Sequence, residues 1–299
     1  MNRPALARSE PDLPAHRDHS RRLQDNRFVY AVLSRRSRGI SIGINLNPDT
    51  VCNFDCVYCQ VDRRTPPLVR EVDEPVLLAE LEETLELVQS GELYHDPRFA
   101  GVPRALRRLN DIAFSGDGEP TSFPRFAEIM REVAAVKRRR KLDQVKLILI
   151  TNATLFHRPG VREGLAILDA NQGEIWAKLD AGTEAYYHTI ERTKVPFERV
   201  LTNLRDAARG RPIVIQSLFM TLDGKGPDEA EIDAYRLRLG EILAAGGAIS
   251  CVQIYTVART PAEPSVGPLS RAELDRIGLA VRDRLGLAVD VIPGGTSDG

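Results

Sequence analysis

The 299-residue sequence has little cysteine, almost no net charge and no long apolar run. Its formal net charge of -1 excludes a globally basic nucleic-acid-binding protein, although a local basic patch could still bind RNA. A membrane-spanning helix needs about 20 consecutive apolar residues, so no membrane association is expected. Residues 1–22 lack the apolar core of a secretory signal, and the sequence therefore predicts a cytoplasmic protein.

Only four cysteines are present, and Cys52, Cys56 and Cys59 lie within eight residues of one another. A disulfide-stabilised secreted domain would use more cysteines and spread them along the chain. The crowding of three thiols therefore indicates a metal site in a reducing compartment.

The chain divides into a polar arm and a globular domain. Residues 1–26 are rich in Arg, Asp and Pro without periodicity, which predicts a poorly ordered arm or an irregular cover. Residues 27–299 contain no repeat and no long linker, which predicts one domain. Short apolar runs predict strands at 40–46, 111–116, 146–152, 174–182, 212–220, 250–258 and 287–292. Amphipathic runs between them predict helices at 75–92, 123–140, 161–169, 199–210, 227–247 and 270–286.

Alternating strands and helices are typical of an α/β fold whose parallel sheet is joined by helical crossovers. Six or seven such units predict a partial (β/α)6-type TIM barrel, with a doubly wound open sheet as the alternative. In both folds, reactive groups lie just beyond the carboxyl ends of the strands.

The three clustered cysteines directly follow the first predicted strand. Their spacing is Cys-x3-Cys-x2-Cys, with the aromatic Tyr58 just before the last cysteine. Three thiolates on one loop can bind one soft metal centre and leave a coordination position free. The alternative is a structural zinc site completed by Cys251 or a histidine, although zinc sites usually add a second ligand pair that this sequence lacks. Cys251 lies in an apolar run and is predicted to be a core residue.

This loop resembles the CxxxCxφC signature of the radical S-adenosylmethionine (radical SAM) superfamily, in which φ is aromatic. The resemblance implies a [4Fe-4S] cluster on Cys52, Cys56 and Cys59 and a TIM barrel of the radical SAM kind. It also implies that S-adenosylmethionine (SAM) binds the fourth iron through its amino and carboxylate groups. Tyr58 would then lie over the adenine side.

The segment after the second predicted strand, SGDGEPT, resembles the GGE motif that receives the amino group of SAM in this superfamily. Asp117 stands where the first glycine of the motif is usual. The resemblance therefore assigns cofactor binding to Gly116, Gly118, Glu119 and Pro120. An ordinary glycine-rich turn is the alternative.

The next two strand ends are also polar. Asn152 belongs to a turn that resembles the TNG-type turn of many radical SAM barrels, although Ala153 in place of Gly makes a left-handed turn less natural. Lys178 and Asp180 share one face of the fourth strand, which predicts an ion pair or a ligand contact. The resemblance to related enzymes implies that this ligand contact is with the ribose or carboxylate of SAM.

The last two strands carry weaker signals. The fifth strand carries Gln216 and Ser217. Polar residues in and after the sixth strand could line the mouth of the site: Gln253, Tyr255, Arg259, Thr260 and Pro261. The superfamily's GxIxGxxE element is absent from the fifth strand.

Three segments indicate a branch of the superfamily. The run at 34–39, the sequence at 60–63 and the later strand ends resemble the Fe-S oxidoreductase group that includes the wybutosine-type tRNA-modifying enzymes. The resemblance implies an external one-electron donor of the flavodoxin or ferredoxin type.

The substrate classes left open are a tRNA base, a glycyl-radical enzyme that requires activation, and a peptide or small molecule. Basic runs at 35–38, 104–108 and 137–141 could contact RNA, but the last ends a helix, where cations favourably meet the helix dipole. A non-catalytic zinc- or cluster-bearing binding module is the alternative from a different functional class.

Overall fold

A computed structural model of the chain describes residues 23, 25–259, 261 and 263–294. Within these residues the strands are β1 (Val29–Ser34), β2 (Gly39–Ile44), β3 (Leu109–Phe114), β4 (Lys146–Thr151), β5 (Gly173–Lys178), β6 (Ile213–Leu218), β7 (Met220–Leu222), β8 (Ile249–Tyr255), β9 (Val266–Pro268) and β10 (Val289–Ile292). The helices are α1 (Glu74–Ser90), α2 (Pro97–Ala100), α3 (Phe126–Arg139), α4 (Pro159–Asp169), α5 (Glu184–Glu191), α6 (Phe197–Gly210), α7 (Glu229–Ala244) and α8 (Arg271–Leu285).

The described strands form an eight-stranded sheet in the order β1-β2-β3-β4-β5-β6-β8-β10. β1 and β2 pair antiparallel, whereas every later pair in this sheet is parallel. Each new parallel strand adds on the same side, so right-handed crossovers place the connecting helices on one face. This arrangement is a partial TIM barrel and not the doubly wound sheet, which carries helices on both faces. β7 and β9 form a separate antiparallel pair.

Local sequence signals begin and end the long helices. The Asp73 side chain accepts a hydrogen bond from the Val76 amide at the start of α1, and a capping box of Ser270 and Glu273 begins α8. α1 ends at Gly91, which takes a left-handed backbone conformation with φ of 86°. These caps explain why the helix predictions were close to the observed bounds.

The two faces of the sheet differ in composition because strand residues alternate between them. The outer face packs under the helices, and its strand side chains, such as Ile42, Phe114 and Leu149, are fully buried in the main apolar core. The inner face carries a small apolar cluster of Ala113, Ile148, Trp176 and Val214. The rest of the inner face lines a cavity.

The predicted strands are confirmed, but β1, β7, β9, α2 and α5 were missed. β1 is a short strand that closely follows the predicted arm, and α5 is a short helix introduced by the cap of Thr183. Of the predicted arm, Leu23 is buried and the Asn26 side chain donates to the Val29 carbonyl, whereas 1–22 and 24 lie outside the described residues. Within the described part of the chain, every helix is too short or too polar to span a bilayer.

Candidate active site

The inner face of the sheet encloses a cavity of about 410 Å³ whose wall includes Cys52, Cys56 and Cys59. The cysteine loop follows β2 directly, so it lies at the carboxyl ends of the parallel strands, as predicted. Tyr58, Gly116, Gly118, Glu119, Asn152 and Lys178 also line this cavity. The structure therefore brings the cysteines and most predicted cofactor-binding residues to one space.

The three thiols of the loop are free and partly buried. The Phe54 amide donates to Cys52 Sγ at 3.5 Å, and the Arg63 guanidinium donates to Cys59 Sγ at 3.6 Å. Cys56 Sγ donates to the Glu191 carboxylate at 2.6 Å. Burial raises the pKa of Cys52 to about 11, and burial together with Glu191 raises the pKa of Cys56 well above its usual value. Cys52 and Cys56 are therefore protonated thiols in the absence of a metal ion.

The donor set of the loop fits a thiolate-bound iron–sulfur group. Three thiols of one loop face one cavity, and two of them already accept N–H donors, as cluster thiolates do. Among the described residues, however, no three His, Cys, Asp or Glu side chains are already arranged as a metal site. The hydrogen bond from Cys56 to Glu191 is the contact that ligation must break.

Cys251 lies near the amino end of β8, whereas the cysteine loop lies at the carboxyl ends of the strands. Its side chain packs against the small inner cluster. Burial raises the pKa of its thiol to about 12, with Asp290 contributing. This placement fits the predicted core role and does not fit a fourth zinc ligand beside the cysteine loop.

The cysteine loop is held by the carboxyl end of α5. The Asp55 amide donates to the Glu191 carbonyl at 2.9 Å, and the Val57 amide donates to the Ile190 carbonyl at 2.8 Å. The Thr193 hydroxyl adds a hydrogen bond to the Asn53 carbonyl at 2.8 Å. The helix that sequence reasoning missed is thus the scaffold that positions the cysteines.

Glu119 is buried and ties the β3 loop to the end of β4. Its carboxylate accepts hydrogen bonds from the Thr121 amide and hydroxyl, the Thr151 hydroxyl at 2.6 Å and the Asn152 amide at 2.7 Å. Burial raises the pKa of Glu119 even though these donors lower it. Pro120 begins a buried 3-10 turn just after it. Oε1 has three protein donors and Oε2 has one, so Oε2 retains capacity for one more donor.

Gly116 and Gly118 allow the β3 loop to pack closely against the segment after β2. A Cβ atom on Gly116 would clash with the side chain of Asn45, and one on Gly118 would clash with the Val51 carbonyl. The immediate reason for both glycines is therefore contact between two loops. That contact places the backbone of the β3 loop against the cysteine loop.

The turn after β4 is left-handed, contrary to the expectation from Ala153. Ala153 has φ of 60° and is fully buried, and the Asn203 side chain donates to its carbonyl at 2.7 Å. These contacts offset the strain that an alanine has in this conformation. Asn152 donates to Asn53 Oδ1 at 2.7 Å and so links this turn to the cysteine loop.

Lys178 and Asp180 form the predicted ion pair, at 3.1 Å. Lys178 Nζ also donates to the Tyr255 hydroxyl at 2.8 Å, while the Tyr58 hydroxyl donates to Asp180 at 2.5 Å. Burial alone would lower the pKa of Lys178, but Asp180, Tyr255 and Glu191 outweigh it and raise that pKa. The ammonium therefore stays charged, with one N–H left for a ligand in the cavity.

The weaker predictions separate into two groups. Tyr255, Gln216 and Arg259 line the cavity, and the Gln216 side chain donates to Gln253 at 2.8 Å. Ser217 instead faces the outer core, where its hydroxyl donates to the Leu179 carbonyl at 2.6 Å. Strand alternation turns Ser217 away from Gln216 and from the cavity. Thr260 lies outside the described residues.

Sequence reasoning missed Glu191 and Arg63, which contact the cysteine thiols. Glu191 is fully buried, and burial together with Asp180 raises its pKa well above the usual value. Arg63 lies four residues after Cys59 and stands between two other charged residues, Asp62 and Arg64. Such a run is ordinary for a solvent-exposed loop, so the sequence did not mark Arg63 as a contact of a thiol. Glu191 is an acidic residue at the end of a helix, and nothing in the sequence around it indicates a contact with the distant cysteine loop.

The basic run at 137–141 is largely occupied by protein partners. Arg140 pairs with Glu82 at 2.6 Å and with Glu86 at 2.5 Å, and Arg139 pairs with Glu82 at 2.9 Å. These contacts favour the structural interpretation of this run over RNA contact.

The family model of the radical SAM superfamily matches residues 46–236, which is more than half of the chain. Curated relatives include a UPF0026 protein of Synechocystis sp., 28% identical over 185 residues, which are 59% of this chain and 58% of the relative. A UPF0026 protein of Helicobacter pylori (strain J99) is 27% identical over 139 residues, 46% of this chain and 38% of the relative. The chain thus spans less than two thirds of the length of these relatives.

Among solved structures, the structure of TYW1 with a lysine–pyruvate adduct bound aligns with a TM-score of 0.50 and 16% identity, over 83% of this chain and 74% of that one. This likeness supports the partial-barrel fold. The cysteine loop, its position at the strand ends and the family match agree, and the chain belongs to the radical SAM superfamily of enzymes.

Proposed function

We propose that this enzyme holds a [4Fe-4S] cluster on Cys52, Cys56 and Cys59 and binds SAM in the inner cavity. The observation that carries the proposal is the convergence of three free thiols of one loop on a cavity at the carboxyl ends of the strands. The match to the radical SAM family supports the same assignment.

When bound, the cluster would supply the electron that cleaves SAM to methionine and a 5′-deoxyadenosyl radical, which abstracts hydrogen from the substrate. The protein residues bind, orient and shield. The Phe54 amide and the Arg63 guanidinium donate hydrogen bonds to the sulfur atoms of Cys52 and Cys59. The cavity walls keep water away from reactive species.

Two groups are suited to the polar ends of SAM. Oε2 of Glu119 and nearby backbone carbonyls accept hydrogen bonds from an amino group, as the resemblance to the GGE motif implies. The remaining N–H of Lys178 can donate to a carboxylate or to a ribose hydroxyl. Tyr58 lines the cavity, with Lys178 Nζ 4.8 Å from the centre of its ring and its hydroxyl held by Asp180, so the ring can form a wall for adenine.

The enzyme requires an external one-electron donor of the flavodoxin or ferredoxin type under this proposal. A tRNA base is the first substrate to test, since the sequence resembles the wybutosine group. Activation of a glycyl-radical enzyme and modification of a peptide or small molecule are the other substrate classes. The pairing of the arginines at the end of α3 means that tRNA would have to bind elsewhere on the surface.

The test is anaerobic reconstitution followed by incubation with SAM and reductant, with and without bulk tRNA. We expect a brown protein with about four irons per chain that releases 5′-deoxyadenosine. Stimulation by tRNA that weakens with salt would support the first substrate class. A colourless protein with one zinc per chain and no 5′-deoxyadenosine would contradict the proposal and favour a zinc-bearing binding module.

A further inference from the structure

A second groove lies on the outer side of the cysteine loop. Its volume is about 430 Å³, and it is lined by residues 52–55, Arg63, residues 192–196 and Arg199. Cys52 and Phe54 line both this groove and the inner cavity. One side chain of the proposed ligand set therefore forms part of the wall between the inner site and the outside of the protein.

The groove is basic. Its lining includes four cations, Arg63, Arg192, Lys194 and Arg199, against the single carboxylate of Asp55. Arg63 pairs with Asp55 at 3.0 Å, and Arg192 pairs with Glu263 at 2.8 Å. Lys194 and Arg199 are exposed, and no carboxylate of the described residues pairs with either of them. The groove thus presents positive charge that its own structure does not neutralise.

The loop that forms one side of the groove also exposes apolar surface. Val51, immediately before Cys52, is 62% exposed, and Leu68, in the segment that follows the loop, is 86% exposed. Large exposed aliphatic side chains are ordinary when scattered, and these two lie on either side of the cysteine loop in sequence. Apolar contacts within a charged surround are typical of a protein-binding surface.

We propose that this groove is the docking surface for an acidic one-electron carrier protein. The inference rests on the proposed function, because only a redox group on the cysteine loop needs such a partner. Complementary charge selects the partner, since an acidic surface is attracted to Lys194 and Arg199, the cations without a carboxylate partner in the described part of the chain.

The position of the groove suits the transfer. One electron leaves the carrier, which is oxidised, and enters the group held by Cys52, Cys56 and Cys59, which is reduced, and no atom changes place. SAM and substrate would fill the inner cavity, so the carrier would approach from the groove, where Cys52 lines both sides of the wall. Electron-transfer complexes have small, short-lived interfaces, and charges near the groove would steer the carrier toward it.

The test compares a charge-reversal pair with a matched control pair in the full-length, reconstituted protein. Lys194→Glu with Arg199→Glu reverses two groove charges, whereas Arg104→Glu with Arg108→Glu makes the same charge change near the amino end of β3, away from the cysteine loop. The probe is flavodoxin hydroquinone at low ionic strength, and photoexcited 5-deazariboflavin is the small, uncharged reductant. The readouts are bleaching of the visible cluster absorption and the affinity of flavodoxin for each variant.

We expect the groove pair to slow reduction by flavodoxin by about tenfold to a hundredfold and to weaken its binding, with a loss of the salt dependence. The control pair should behave as the unmodified protein, and all forms should be reduced alike by deazariboflavin. Equal flavodoxin reduction or affinity in the groove pair, or an equal loss in the control pair, would overturn the docking surface. Failure of the proposed function is a separate result, namely no 5′-deoxyadenosine from the unmodified protein with either reductant.

Discussion

The two faces of the main sheet contribute differently to this protein. On the outer face, alternate strand residues are aliphatic or aromatic and pack under helices, which gives one continuous core. On the inner face, the matching positions include Ser41, Asp111, Lys178 and Gln216, and they line a cavity. The comparison indicates that stability comes mainly from the outer face, while the inner face keeps polar groups that a tighter core would exclude.

The largest expected effect concerns the two classes of cysteine. Cys56→Ser should remove a cluster ligand and reduce release of 5′-deoxyadenosine to background, because serine does not replace a thiolate toward iron. Cys251→Ser should retain iron and activity, since Cys251 packs in the small inner cluster. The measurements are iron content and 5′-deoxyadenosine after anaerobic reconstitution. Equal losses in both variants would remove the distinction between ligand and core cysteine.

The next effect compares neighbouring residues of β4 that point to opposite faces. Leu149→Ala should cost about 2–5 kcal/mol of unfolding free energy, because Leu149 is fully buried under the helices. Ile150→Ala should cost about 1 kcal/mol, since its side chain borders a cavity and leaves no new void. Denaturant unfolding of both variants measures the difference. A larger loss for Ile150→Ala would reverse the assignment of the two faces.

The third effect tests the cost of a buried acid on the inner face. Burial raises the pKa of Asp111 to about 6, with Glu174 adding to the rise and Ser41, Ser37 and Lys146 opposing it. Its folded pKa exceeds the unfolded value of about 4, so stability is full below about pH 4 and falls as pH rises to about 6. Asp111→Asn should therefore gain about 2–3 kcal/mol at about pH 8, and less as the pH falls toward 4.

Urea unfolding of the Asp111→Asn variant and the unmodified protein across this pH range gives that difference. Asp206→Asn, a change of an exposed aspartate on α6, is the matched control and should show no such trend. A gain in unfolding free energy that does not depend on pH would show that burial does not destabilise the charged carboxylate of Asp111.

The smallest effect concerns surface ion pairs between helices, which lie on neither face of the sheet. Arg140→Gln removes pairs with Glu82 and Glu86, which are partly exposed. The expected loss is under about 1 kcal/mol and should shrink at high salt, as for other surface ion pairs. Thermal unfolding at low and high ionic strength measures it. A loss of several kcal/mol would mean that the end of α3 carries stability now assigned to the core.

The sequence was enough to predict the parallel strands, because each is an apolar run with helical patterns on both sides. It was also enough to predict that Cys52, Cys56, Glu119 and Lys178 meet at one end of the barrel, since parallel strand ends share an edge. It did not reveal the contact from Glu191 to Cys56, which joins residues 135 positions apart through a hydrogen bond. Such contacts depend on how α5 packs against the loop, and no periodicity encodes them.

The left-handed turn at Ala153 is a second feature that the sequence did not predict. Local backbone preference argued against it, and tertiary contacts from Asn203 and the buried surroundings stabilise it. Local rules therefore failed in the loops that meet the cysteines, where packing between distant segments decides the conformation.

The most direct test of the account is electron paramagnetic resonance of the reduced, reconstituted protein before and after addition of SAM. We predict a signal typical of a reduced [4Fe-4S] cluster that changes when SAM is added, because SAM would bind the iron that lacks a cysteine ligand. The Cys56→Ser variant should lack this response. A cluster signal that SAM leaves unchanged, or the absence of any cluster in protein that retains all three loop thiols, would contradict the central claim.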